Sequence, residues 1–110
     1  MSIFGKKKLP KNENSRAYRL AKALEYDGQL LQSVTERTES GEIVLGKGGS
    51  VSVREGEVIV LASQQIVFRA FAESLSCSDL LSGNGAIFTG VDTLSGRERS
   101  VVVHFSYYRK

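Results

Sequence analysis

Short apolar runs separated by glycine-rich turns make up most of the chain after residue 29. Residues 50–54 alternate between valine and polar side chains, which is typical of a strand with one buried face. Residues 58–61 are continuously apolar and predict a strand that is covered on both faces. Further strand candidates are residues 30–37, 42–45, 66–72, 86–91 and 99–108. Six to seven short strands at a spacing of roughly ten residues predict an antiparallel sheet.

Glycine and polar residues mark the connections between these strands. Residues 39–41 and 92–96 are predicted hairpin loops, and Asn84-Gly85 is a strong signal for a tight turn. We interpret residues 46–49, Gly-Lys-Gly-Gly, as a further hairpin connection. A phosphate-binding loop is not expected there, because such a loop is followed by a helix, whereas a strand candidate follows these glycines.

A helix is predicted before the strands begin. Ser15 is a suitable N-cap and Gly28 a suitable stop. The apolar positions between them share one helical face: Ala17, Leu20, Ala21 and Leu24. Residues 66–72 fit both a strand and a helix, and we favour the strand because the run begins with β-branched and aromatic residues. Residues 74–82 are rich in serine and predict a connection with one helical turn.

The expected fold class is mostly β, a small antiparallel barrel or roll of six to seven strands with one N-terminal helix. No run of 10–15 helical residues separates the strands, as a parallel sheet would require. In outline, residues 43–106 resemble a pleckstrin-homology-like or GRAM-like barrel, with paired strands, a polar connection from Ser76 to Leu80, and a final hairpin. This resemblance implies a helix at one end of the barrel, which residues 15–25 would supply, and it implies no functional residue.

Positive charge is concentrated at the start of the chain. Residues 1–22 hold seven basic residues against Glu13 alone, a net charge of seven minus one, or +6, and the whole chain is +3, so the remainder is −3. The basic residues are Lys6, Lys7, Lys8, Lys11, Arg16, Arg19 and Lys22. We expect residues 1–14 to be a flexible basic arm ahead of one domain at 15–110. Such an arm either contacts a polyanion, namely nucleic acid or an anionic membrane surface, or serves as a solvated tail.

Residues able to build a catalytic or metal site are scarce. His104 is the only histidine and Cys77 the only cysteine, and they lie on separate predicted elements. A structural zinc site needs four such ligands, and a nucleophilic pair needs a third group that orients the base. We therefore expect no enzyme, no metal and no cofactor. A single cysteine, together with no predicted signal peptide or membrane span, also favours a cytoplasmic setting.

The last strand candidate suggests association with another chain. Residues 101–108 are largely apolar on both faces and carry no proline or charged residue, which edge strands normally use as protection. If this strand lies at a sheet edge, we expect a homo-oligomer. The predicted function is therefore a non-enzymatic binding or assembly module of a cytoplasmic complex. The alternative is a nucleic-acid-binding protein that uses its basic arm on phosphates.

Overall fold

A computed structural model describes residues 15–106 as one helix and seven strands. Helix α1 spans Arg16–Leu24. The strands are β1 Leu30–Thr38, β2 Gly41–Arg54, β3 Glu57–Ala62, β4 Gln65–Phe71, β5 Ser76–Asp79, β6 Gly85–Val91 and β7 Glu98–Phe105. A short 3-10 helix, Ala72–Ser74, joins β4 to β5. The predicted basic arm, residues 1–14, and residues 107–110 lie outside the described part of the chain.

The strands form a single antiparallel sheet in the order β4-β3-β2-β1-β7-β6-β5. The mostly β class with one N-terminal helix is therefore confirmed. Of the predicted barrel or roll, the barrel is wrong, because β4 and β5 end the sheet on opposite sides and do not pair with each other. The two edge strands are nevertheless consecutive in the chain, and residues 72–75 alone connect them.

That short connection forces the sheet to coil. Seven strands laid flat would place the two edge strands roughly 29 Å apart at about 4.8 Å per strand. The chain from Phe71 to Ser76 spans at most about 18 Å when fully extended. The sheet therefore rolls up around its inner face, which holds the apolar core. Fully buried core side chains on the strands include Val34, Val51, Val58, Val60, Phe68, Phe88, Val101 and Val103.

Helix α1 packs beside β5 and the 3-10 helix. Its N-cap is confirmed, because the Ser15 hydroxyl accepts a hydrogen bond from the Tyr18 N–H at 3.1 Å. The predicted apolar face is wrong in part: Ala23 is buried, whereas Leu24 is exposed. The reason is the packing of Tyr26, just after the helix, whose buried ring lies edge-on to Phe88 with 5.3 Å between the ring centroids. The helix face that contacts the core is therefore the one that carries Ala23.

Strand β2 runs without a break through the segment predicted to be a hairpin connection, so that prediction is wrong. The glycines in this segment make room for the end of β3. A Cβ atom on Gly49 would lie 1.8 Å from the Leu61 carbonyl oxygen, and one on Gly46 would lie 2.8 Å from the Ala62 Cβ. Close approach of two backbones, rather than a turn, explains these glycines.

Three other expectations have clear outcomes. The strand interpretation of residues 66–72 is confirmed, since β4 covers Gln65–Phe71. The predicted connection at 74–82 contains β5, whose Cys77 lies opposite Phe88 of β6, so this strand was not predicted from the sequence.

The final strand is not at an edge: β7 pairs with β1 on one side and β6 on the other. The expected exposure of that strand is therefore wrong, and the homo-oligomer prediction loses its original basis.

A buried carboxylate caps the outer edge of β4. Asp92 lies in the β6–β7 loop and is fully buried. Its Oδ1 atom accepts the backbone N–H of Arg69 at 3.2 Å and that of Leu94 at 3.1 Å. The Thr93 N–H donates in turn to the Arg69 carbonyl oxygen at 2.7 Å. The loop thus bonds to β4 where a neighbouring strand would lie in a closed barrel.

Arg99 extends this contact across the interior of the roll. Its Nη1 atom donates to the Val67 carbonyl oxygen at 3.0 Å and to Asp92 Oδ2 at 2.7 Å. The same guanidinium forms two hydrogen bonds with Glu36 on β1, at 3.0 and 2.8 Å. Arg99 therefore connects the neighbouring strands β1 and β7 to β4, which lies at one end of the sheet order. We call Glu36, Asp92 and Arg99 the polar bridge.

The polar bridge lowers the pKa of both of its carboxyl groups. Hydrogen bonds from Arg99 hold the pKa of Glu36 below its ordinary value. Burial alone would raise the pKa of Asp92, but the hydrogen bonds from Arg99, Leu94, Ser95 and Arg69 outweigh it and lower that pKa as well. A lowered folded-state pKa stabilises the folded protein at neutral pH, and this stabilisation is lost as the pH falls through the lowered values.

We predict that Arg99→Leu lowers the free energy of unfolding by about 3–5 kcal/mol, because Asp92 then keeps a buried charge without its cation. Arg37→Leu is the control: its ion pair with Glu42 is exposed, and its loss should cost less than about 1 kcal/mol. Urea unfolding measures both. Wild-type stability should also fall below about pH 4, and this dependence should be weaker in Arg99→Leu. Equal stability of the two variants would contradict the role given to Arg99.

Candidate binding surfaces

Half of β2 has an edge that no strand of residues 15–106 covers. Strand β3 pairs with β2 only between Gly49 and Arg54, whereas β1 pairs with β2 as far as Gly41. The turn at Ser63 ends the paired region, since the Ser63 N–H donates to the Lys47 carbonyl oxygen at 2.9 Å. Residues 41–45 therefore have β1 on one side only. We call this segment the β2 edge.

The hairpin geometry decides which backbone groups the β2 edge presents. A two-residue loop follows Thr38, so Thr38 and Gly41 form a hydrogen-bonded pair. Hydrogen-bonded and non-hydrogen-bonded pairs alternate along an antiparallel ladder, which turns the N–H and C=O groups of Glu42 and Val44 away from β1. The Ile43 side chain is 52% exposed and that of Val44 is 61% exposed. The β2 edge thus combines unpaired backbone groups with exposed apolar side chains.

A small cleft lies between α1 and β5, with a volume of about 160 Å³. Its walls include two of the basic residues predicted to contact a polyanion, Arg19 and Lys22. The Lys22 ammonium pairs with Glu25 at 3.3 Å and with Asp79 at 3.7 Å. Arg19 donates to the Ser74 carbonyl oxygen at 3.2 Å.

Arg16, the third basic residue of α1, pairs with Glu73 at 3.7 Å. The contacts of Arg16, Arg19 and Lys22 all hold the helix against β5 and the 3-10 helix. Carboxylates pair with Arg16 and Lys22, whereas Arg19 bonds to a carbonyl oxygen and keeps a charge that no carboxylate of residues 15–106 compensates. The remaining members of that predicted set, Lys6, Lys7, Lys8 and Lys11, lie outside the described residues.

The structure does not bring Cys77 and His104 together. Cys77 packs against the core and lines the α1–β5 cleft. His104 lies between the core residues Val103 and Phe105 on β7, so its side chain points to the opposite face of the sheet. Burial raises the pKa of the Cys77 thiol to about 12, although Lys22 and Arg19 act to lower it. Within residues 15–106, no three potential metal ligands of the His, Cys, Asp and Glu types lie together.

Comparison with known proteins identifies no relative. No family model matches the chain, and neither a curated protein nor a solved structure matches it. The pleckstrin-homology-like outline of the strands therefore stays a prediction. None of the described helices is long and apolar enough to cross a membrane.

The β2 edge was not predicted from the sequence, although a signal for it was present. The predicted strands divided β2 at residues 46–49, and the open edge was expected on the final strand instead. Ile43, Val44 and Leu45 form an apolar triplet on a strand with no proline, which is unusual for a solvent-facing edge. Strand β3 pairs with only the second half of β2. The glycines mark where β3 approaches β2, but they can be interpreted in this way only when β2 is known to be one continuous strand.

We predict that Cys77 reacts slowly with thiol reagents in the folded protein. A pKa near 12 in place of 9.0 lowers the thiolate population at neutral pH by about a thousandfold. The rate of alkylation by iodoacetamide, followed by mass spectrometry, should rise sharply when urea unfolds the chain. A folded-state rate equal to that in urea would show an activated thiol and would contradict the non-catalytic assignment of Cys77.

Proposed function

We propose that this protein is a non-enzymatic binding and assembly module that joins a protein complex by accepting a strand at the β2 edge. The observation that carries the proposal is the backbone of Glu42 and Val44, which no strand of residues 15–106 pairs with on the side away from β1, together with the exposed Ile43 and Val44 side chains. An added strand gains main-chain hydrogen bonds for affinity and side-chain contacts for specificity.

The surroundings of the β2 edge support this role. Edge strands usually protect themselves with proline, lysine or a covering loop. Glu42 is the only charged side chain between residues 41 and 45, and its carboxylate is held over β1 by the Thr35 hydroxyl at 3.1 Å and by Arg37 at 3.6 Å. Between residues 41 and 45, no charged side chain is therefore available to protect the open side of the strand. Because β1 and β7 continue the sheet behind it, the edge is held on a rigid support.

Photo-crosslinking tests the β2 edge directly. A photoreactive amino acid in place of Ile43 should give discrete protein adducts in extract from the native cell. Val44→Pro in the same chain should remove them, because proline deletes the N–H that faces the open edge while the bonds to β1 remain. The same photoreactive group at Leu94, which is equally exposed but lies in the β6–β7 loop, is the control. Adducts at residue 43 that survive Val44→Pro would contradict the proposal.

Charge asymmetry favours a second candidate function, which is nucleic-acid or anionic-membrane binding by the N-terminal segment. Residues 1–14 contribute four lysines against one glutamate, so their removal lowers the net charge from +3 by four minus one, to zero. Lysine contacts to phosphates are independent of base sequence and weaken with salt.

We predict that removal of residues 1–14 lowers any affinity for duplex DNA, RNA or anionic vesicles. If all four lysines reach phosphates of duplex DNA, the log–log salt slope should become less steep by about 3 to 4. Titration of both forms at low and moderate salt measures this effect. A third form that carries Lys→Gln at the same four positions controls for the length of the segment. Equal and negligible binding by all forms would leave this second function without support.

A further inference from the structure

We infer that the α1–β5 cleft binds one tetrahedral oxyanion, such as a phosphate group. The cleft shares no residue with the β2 edge, so this inference is independent of strand addition there. Within residues 15–106, no Asp or Glu lines the cleft. Its lining does include side chains that can donate hydrogen bonds: Tyr18, Arg19, Lys22, Ser76 and Ser78. A set of donors without carboxylates is suited to an anion.

The size of the cleft limits the ligand to a small group. Its volume of about 160 Å³ corresponds to about five water molecules at roughly 30 Å³ each. Pockets for drug-sized organic ligands measure roughly 300–1,000 Å³. A single oxyanion with a few water molecules therefore fits the cleft, whereas a whole nucleotide does not.

Arg19 is the cation best placed to hold the oxyanion. Its Nη1 atom donates to the Ser74 carbonyl oxygen at 3.2 Å, which fixes the guanidinium beside the cleft. No carboxylate among residues 15–106 pairs with Arg19, so its remaining N–H groups are available to a ligand. The planar fork of a guanidinium donates two parallel hydrogen bonds to a phosphate, and such charge-assisted bonds are stronger than neutral ones.

The opposite wall supplies a backbone donor from the edge of β5. The Leu80 N–H donates to the Gly85 carbonyl oxygen at 2.9 Å, which identifies Leu80 and Gly85 as a hydrogen-bonded pair of the β5–β6 ladder. Bonded and non-bonded pairs alternate along this ladder, so the Cys77 N–H points away from β6. Helix α1 lies on that side of β5. Backbone N–H groups at a sheet edge form anion-binding concavities.

The charges around the cleft favour an anion as well. Burial raises the pKa of the Cys77 thiol, and nearby charges act on that pKa to a smaller extent. Among these charges, Lys22 and Arg19 each lower it by more than either nearby carboxylate raises it. Those carboxylates are Glu25 and Asp79, which both pair with Lys22. The potential at Cys77 is therefore positive, and a cleft of positive potential concentrates anions.

Nuclear magnetic resonance on the full chain labelled with ¹⁵N tests the inference. Sodium phosphate is added at constant pH, and sodium chloride keeps the ionic strength constant. The Cys77 amide and the Arg19 Nε–H signals should shift in a saturable manner, with a dissociation constant of about 1 mM or lower. Arg19→Gln should weaken binding by about tenfold or more, because charge-assisted hydrogen bonds are lost. Arg19→Lys should weaken it less, since lysine keeps the charge without the fork.

A matched control and a second ligand complete the experiment. Arg54→Gln removes an equal charge from the exposed end of β2 and should leave phosphate binding unchanged. The dispersion of each spectrum shows that the variant is folded. O-phosphoserine, titrated in the same way, identifies the source of the oxyanion. Tighter binding than that of phosphate indicates a phosphate monoester as the ligand, and equal or weaker binding indicates the free ion.

Three results would overturn the inference. Shifts that never saturate, or that sodium chloride alone reproduces, would show a general effect of ions. Saturable binding that is unchanged in Arg19→Gln would place the anion at another site. Saturable shifts that leave the Cys77 amide unaffected would exclude the cleft in the same way. None of these results alters the outcome expected from photo-crosslinking at Ile43, because the two surfaces share no residue.

Discussion

The shape of this protein depends on the short connection between its two edge strands. Residues 72–75 must reach from β4 to β5, although five strands lie between them in the sheet. The sheet can satisfy this only by coiling, and coiling brings the β6–β7 loop against the outer side of β4. Strand pairing does not complete the closure. Asp92 and Thr93 complete it at Arg69, and Arg99 connects the same region to Glu36 on β1.

This mode of closure has a consequence for the surface of the molecule. The β6–β7 loop bonds to the outer side of β4, and α1 flanks β5, although three of the four β5 residues stay exposed. The exposed apolar edge lies within the sheet order, on the half of β2 that extends past the last residue of β3. Two neighbouring strands of unequal length therefore create the candidate binding surface. The exposed Ile43 and Val44 side chains are a consequence of that difference in length.

The local sequence pattern predicted most helices and strands, but it did not predict how the strands pair. Three signals depend only on neighbours in the sequence, and each predicted a nearby element boundary or strand: the Ser15 N-cap, the alternation at residues 50–54 and the Asn84-Gly85 turn. The glycines at 46 and 49 were misread because their cause is the backbone of Leu61 and Ala62, a contact that appears only after β2 and β3 pair. β5 was missed because Ser76–Asp79 has little apolar character and is a strand through its pairing with β6.

The candidate site illustrates the same limit. The basic residues of α1 are conspicuous in the sequence, but two of the three carboxylates that pair with them, Glu73 and Asp79, lie more than fifty residues away in the chain. Asp92 looked like an ordinary turn residue, and its burial follows from the coiling of the whole sheet. The edge assigned to the final strand belongs to β2 instead, since strand order is a long-range property that periodicity does not encode.

Amide hydrogen exchange on a dilute sample tests most directly the claim that the polar bridge closes the roll while the β2 edge stays open. The N–H groups of Arg69 and Thr93 should exchange as slowly as that of Val103 in the interior strand β7, because only global unfolding releases them. The N–H groups of Glu42 and Val44 should exchange at least a hundredfold faster, on the order expected for edge amides without a partner. Fast exchange at Arg69 and Thr93, or strong protection at Glu42 and Val44 in the monomer, would contradict this account.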